Sequence, residues 1–94
     1  MTDWLSLSQK YQAELFDLIK QLVLIETPTR DKSANDRAST YVAELVSALG
    51  GTVTVHRQDE FGDHISADWA GNSSQLAGLV VGHLDTVWPL GTLE

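Results

Sequence analysis

Leu76-Ala77-Gly78-Leu79-Val80-Val81-Gly82 is the stretch on which the fold turns. Its Leu79-Val80-Val81 centre is continuously apolar, whereas a strand with one face in water would alternate. The run is far too short to span a bilayer. It therefore reads as a strand, Leu76 to Gly82, covered on both faces in the middle of an α/β sheet. Directly after it comes Gly82-His83-Leu84-Asp85-Thr86-Val87. Open α/β sheets place their ligands along the carboxyl ends of their strands. Side chains two apart on an extended chain point the same way, so His83 and Asp85 are expected to project together. A neutral imidazole is a common zinc ligand, and its other ring nitrogen needs a partner that fixes tautomer and orientation. Asp85 is placed to be that partner. The spacing alone leaves the plainer reading of a polar loop open, because zinc needs about three or four protein ligands and this motif offers one.

Working outward from that strand, Gly71-Asn72-Ser73-Ser74 is a turn cluster that joins it to a preceding strand, Ile65 to Trp69. There Ile65, Ala67 and Trp69 share a face. An acidic connection, Asp59 to Asp63, leads back to another alternating strand, Thr52 to Arg57, with Val53 and Val55 on one face. Before the strands lie two helices. In the first, Ser8 to Ile25, the residues Tyr11, Leu15, Leu18, Ile19, Leu22 and Ile25 form an apolar stripe expected to pack in a core. Thr27-Pro28-Thr29 ends it, since a residue before proline is pushed out of helical conformation. A polar linker, Arg30 to Ala34, enters the second helix, where Ser33 and Asp36 have capping-box spacing. Its stripe is Ala38, Tyr41, Val42, Leu45, Val46 and Leu49, closed by Gly50-Gly51. The expected fold is α/β, with two N-terminal helices followed by strands of a mixed sheet. Two helices cover one face of that sheet and nothing later returns over the other, so residues 1–94 read as a cut piece of a larger domain.

Hydrophobic residues make up 43% of the 94 and charged residues 20%, the composition of a folded chain. Thirteen acidic residues against six basic ones give a net charge of -7. Nucleic acid and anionic membrane call for clustered Lys and Arg, so neither is an expected partner. There is no cysteine, which excludes disulfides and thiolate metal sites and fits a reducing compartment. The start, Met1-Thr2-Asp3-Trp4-Leu5, has no signal-peptide character, and a cytoplasmic protein is the expectation.

Gly82-His83-Leu84-Asp85-Thr86-Val87-Trp88-Pro89-Leu90-Gly91-Thr92 closely resembles the first metal-binding motif of a family of zinc peptidases. This is the family of acetylornithine deacetylase, succinyl-diaminopimelate desuccinylase and glutamate carboxypeptidase. The order of the preceding elements is similar too, so the resemblance covers nearly the whole chain. The aromatic-Pro-x-Gly-Thr tail looks most like the glutamate carboxypeptidase branch. The resemblance implies that His83 binds one zinc of a two-zinc centre, while a lone His ligand by its own chemistry also suits cobalt, manganese or nickel. It implies that Asp85 belongs to the catalytic machinery as the residue that clamps the imidazole. It also implies a small peptide or N-acyl amino acid as substrate, cleaved at an amide next to a free carboxylate, and a homodimeric parent protein. The family's bridging aspartate, general-base glutamate, further acidic ligands and final histidine have no counterpart in these 94 residues. The expectation is thus a segment that is inactive alone. The alternative is a non-catalytic short product that acts at most as an interaction module.

Other chemistry-bearing residues read more plainly. His56 and His64 are expected to be solvated or packed, and Asp59, Glu60 and Asp63 to form a solvated acidic loop. Ser73 and Ser74 have no neighbouring His/Asp pattern that would make a nucleophile. Trp4, Trp69 and Trp88 read as packing residues, with Trp88 a candidate for lining a cleft beside the motif.

Overall fold

The structure, a computed structural model, describes residues 3–71, 74 and 78–94. Asp3 starts helix α1 (Trp4–Leu24). Its carboxylate accepts the amides of Leu5 and Ser6 and the Ser6 hydroxyl, which satisfies donors that the first turn leaves open. The helix therefore begins four residues before the expected Ser8. It ends ahead of Pro28 as the sequence indicated, with Ile25 already extended.

Helix α2 (Lys32–Ala48) is capped by Asp31, whose side chain accepts the Ala34 amide at 2.9 Å. The expected Ser33/Asp36 capping box is not formed. Asp31 has already taken the capping role, and Asp36 instead accepts the Asp63 amide at 2.8 Å and pairs with Lys32. Gly50 has φ +91, the left-handed conformation expected at this helix end.

Strands β1 (Thr52–His56) and β2 (His64–Asp68) pair antiparallel, with Val53 opposite Ala67 and Val55 opposite Ile65. The apolar alternation read from the sequence thus falls on one face, and α2 packs on both strands. Each strand lies one residue earlier than expected at its C-terminal end. Arg57 and Gln58 leave the ladder to bind Asp63, and Trp69 turns its indole N–H to the Leu49 carbonyl at 3.0 Å. That ring also lies against Gly51, where an added Cβ would come within 2.9 Å of it.

Two expectations are corrected. The buried third strand is not present over Gly78–Gly82: this stretch has no strand pairing, and Leu79, Val80 and Val81 are almost fully exposed, Val80 at 97%. Its first residues, 76 and 77, and the preceding Asn72 and Ser73 lie outside the described residues. The sheet among the described residues is therefore two-stranded and antiparallel, and an α/β mix is what remains of the mixed-sheet expectation. The core role of the α1 stripe fails as well. No α1 residue is buried, and Tyr11, Leu15 and Ile19 are about half exposed. The physical reason is shared: a two-stranded sheet offers one apolar face, and α2 occupies it. The fully described core reduces to Ala34 and Ala38, with no large side chain completely buried. The radius of gyration is 15.6 Å, against about 12 Å for a compact chain of this length.

The loop Arg57–Asp63 docks on α2 through Asp63, which is 7% exposed. Its carboxylate meets Lys32 at 2.8 Å, Arg57 at 3.0 Å and the Gln58 amide at 2.8 Å, and its carbonyl accepts the Ser39 hydroxyl. The expected solvated acidic loop is thus corrected at Asp63, while Asp59 and Glu60 are exposed. Asp63 is drawn in because its charge is neutralised on two sides. Gly62 makes the close approach possible, since a Cβ there would collide with Asn35 Cβ.

Candidate functional site

Pro28 cannot continue α1, so the chain leaves the helix before it, and Thr27 to Thr29 offers its backbone to another segment before turning at Thr29 and Arg30. That segment is Leu84 to Thr86. Thr86 N–H donates to the Thr27 carbonyl at 2.7 Å and Thr29 N–H to the Thr86 carbonyl at 3.1 Å, a single parallel bridge between Pro28 and Thr86. The buried Thr27 hydroxyl donates to the Leu84 carbonyl at 2.7 Å. Further along, Glu26 accepts the amides of Gly91 and Leu93. The motif is therefore held by the segment Glu26 to Thr29 that follows α1 and not, as expected, by the carboxyl end of a buried strand.

The two motif residues meet as the sequence indicated. His83 Nδ1 lies 3.0 Å from the Asp85 carbonyl oxygen and 3.2 Å from Asp85 Oδ1. On its far side Asp85 Oδ2 accepts the Thr29 hydroxyl at 2.6 Å. That hydrogen bond holds the Asp85 carboxyl below its ordinary value; burial opposes it, and the His83 ring lowers it further by a smaller amount. An ionised carboxylate only accepts, as does a carbonyl, so both neighbours of Nδ1 are acceptors and Nδ1 carries the ring proton. In the neutral ring Nε2 then keeps its lone pair, and it has no hydrogen bond among the described residues. The imidazole is 82% exposed.

His83 and Asp85 help line an open cleft of about 440 Å³, together with Phe61, Asp63 and His64. Asp63 is engaged by Lys32 and Arg57 and is held down to about 2, chiefly by Lys32 and the Gln58 amide, so it stays ionised in place. His64 sits opposite His56 in the strand pair, and His56 Nε2 contacts the Ser66 hydroxyl at 2.9 Å. Trp88 is exposed and does not line the cleft. Trp4 is exposed too, and Trp69 is 53% exposed with one side of its ring against Gly51, so the packing role expected of the three tryptophans is met only in part, at Trp69. Ser73 lies outside the described residues.

Among the described residues no group of three or more His, Asp or Glu side chains converges to hold a metal ion. The residues fit one ligand position, Nε2 of His83 with its orienting carboxylate, and not a complete zinc site. Sequence reasoning missed Thr27, Thr29 and Glu26. Thr27-Pro28-Thr29 signals a helix stop, and nothing in its local pattern marks a partner more than fifty residues away. Among the described residues no helix is long and apolar enough to cross a membrane. No family model, curated protein or solved structure matches the chain.

Proposed function

We propose that the chain supplies the first metal-binding segment of a two-zinc carboxypeptidase or amidohydrolase that cleaves an amide next to a free carboxylate. His83 is the ligand through Nε2, and Asp85 holds the ring. The observation that carries this reading is that Nδ1 faces two acceptors, which leaves the ligating lone pair on the nitrogen that has no described partner. The open cleft beside the ring has the volume of a small-ligand site. Zinc pairs supply Lewis-acid polarisation of an amide carbonyl at neutral pH. The chain's own contribution is to present one nitrogen and keep it unprotonated. Zinc belongs here as the metal, with cobalt or manganese as substitutes, and a small peptide or N-acyl amino acid as substrate.

A second reading has its own support. The exposed apolar residues of α1 and of Leu79–Val81 suit a non-catalytic interaction module. Titration of zinc or cobalt into the chain, followed on the histidine ring signals, separates the two. The ligand reading expects His83 to respond before His56 and His64, and the first response to vanish in His83→Ala. It also expects no hydrolysis of N-acyl amino acids by these 94 residues alone. Equal response of the three rings, or metal-dependent turnover that survives His83→Ala, would overturn it.

A further inference from the structure

We infer that Thr29 is a positioning residue for His83, acting through Asp85: its hydroxyl fixes the carboxylate that, beside the Asp85 carbonyl at 3.0 Å, holds the imidazole proton on Nδ1. The inference rests on the ligand reading of His83 and extends it to a residue that the motif does not contain. Its ground is geometric. Asp85 is tied on one oxygen only to the exposed ring, and a lone contact of 3.2 Å to a mobile side chain would not set the carboxylate's rotamer. The other oxygen receives the Thr29 hydroxyl at 2.6 Å, the shorter and charge-assisted bond. The same hydroxyl lies 3.1 Å from the Thr86 carbonyl. A hydroxyl has one proton, and the shorter distance with the charged acceptor assigns it to Asp85. Thr29 itself cannot drift, because its amide donates to Thr86 and its neighbour Thr27 is bonded to Leu84 through the side chain and to Thr86 through the carbonyl. Backbone pairing between the two segments thus delivers a hydroxyl to the back of the carboxylate. Removing the hydroxyl while keeping the β-branched shape would leave the bridge intact and free the carboxylate to rotate.

The test reads the ring tautomer directly, by long-range proton–nitrogen NMR on the full 94-residue chain without metal, at a pH where imidazoles are neutral. His83→Ala assigns the signals against His56 and His64. Wild-type chain is expected to hold the proton on Nδ1. Thr29→Val is expected to lower the ratio of the Nδ1–H to the Nε2–H form about fivefold, the scale of one hydrogen bond. Thr29→Ser keeps the hydroxyl and should keep the wild-type ratio. Amide shifts of Thr29 and Thr86 report whether the bridge survives, and where Thr29→Val loses it the serine variant carries the test. An unchanged ratio in Thr29→Val, or loss in Thr29→Ser, overturns the role of Thr29 and leaves the His83–Asp85 pair standing. A wild-type ring with no Nδ1–H excess overturns the ligand geometry and Thr29 with it, whereas a ratio that Asp85→Ala leaves unchanged assigns the tautomer to the Asp85 carbonyl at 3.0 Å and overturns the carboxylate clamp and Thr29 alone.

Discussion

The Thr29 hydroxyl lies 2.6 Å from Asp85 Oδ2, although the two residues are 56 positions apart in the chain. Asp85 Oδ1 in turn faces His83 Nδ1 at 3.2 Å. The three side chains form a line of dependence in which each fixes the next, and the line ends at Nε2 of the ring, which has no hydrogen bond among the described residues. Loss should therefore grow along it.

In a polypeptide that carries a complete ligand set, His83→Ala should remove a ligand and with it nearly all activity. Asp85→Ala should leave metal bound but let the ring turn, at a loss on the order of ten- to a hundred-fold. Metal content and rate measured side by side check the order. An Asp85→Ala variant silent in both would remove the clamp role.

Asp63 sets the pH response of the fold. Its folded value of about 2 lies below the ordinary 3.8, with Lys32 the main cause. A depressed carboxyl contributes stability that is complete above the unfolded value and is lost as pH falls through the folded one. Urea midpoints of wild type and Asp63→Asn should therefore differ most at neutral pH. The gap should close between 3.8 and about 2. A gap that stays constant across that window would show that the charge of Asp63 is not what ties the loop to α2.

Gly62 offers a steric test of the same docking. A Cβ there would collide with Asn35 Cβ, whose side chain amide is itself fixed by the Pro28 and Asp31 carbonyls. Overpacking of this kind costs about 1–3 kcal/mol. Gly62→Ala should lower the denaturation midpoint and release Asp63 from the Lys32 ion pair. An unchanged midpoint would mean that the loop has room to shift.

Local signals were legible in the sequence and long-range ones were not. The helix stop at Pro28, the left-handed Gly50 and the alternation of Val53, Val55, Ile65 and Ala67 depend on neighbours a few residues away, and the structure carries them. The meeting of His83 and Asp85 belongs to the same class, because two positions on an extended chain suffice to predict it. The third strand failed because an apolar run states that burial is wanted, not that cover exists. The α1 stripe failed for the same reason. Thr29 was invisible because its role is set by a backbone bridge to Thr86, and Asp31 displaced the Ser33 cap by starting the helix earlier and taking the Ala34 amide.

The exposed apolar surface leads to the last expectation. Leu79, Val80 and Val81 are almost bare, and Trp4, Leu15, Phe16 and Val23 on α1 are more than half exposed. Fully burying one such side chain contributes about 1.5–3 kcal/mol, so two uncovered faces outweigh what a core of two alanines supplies. Even a well-packed domain has only about 0.1 kcal/mol of stability per residue. The 94-residue chain should therefore associate, or populate a loosely packed state that binds apolar dyes. Sedimentation across a concentration series, with thermal melting, reads this out. Val80→Lys and Phe16→Lys should each reduce association without lowering helix content, because Val80 is 97% and Phe16 60% exposed. A monodisperse monomer with a sharp, cooperative melt and no dye binding would mean that these faces are covered in solution.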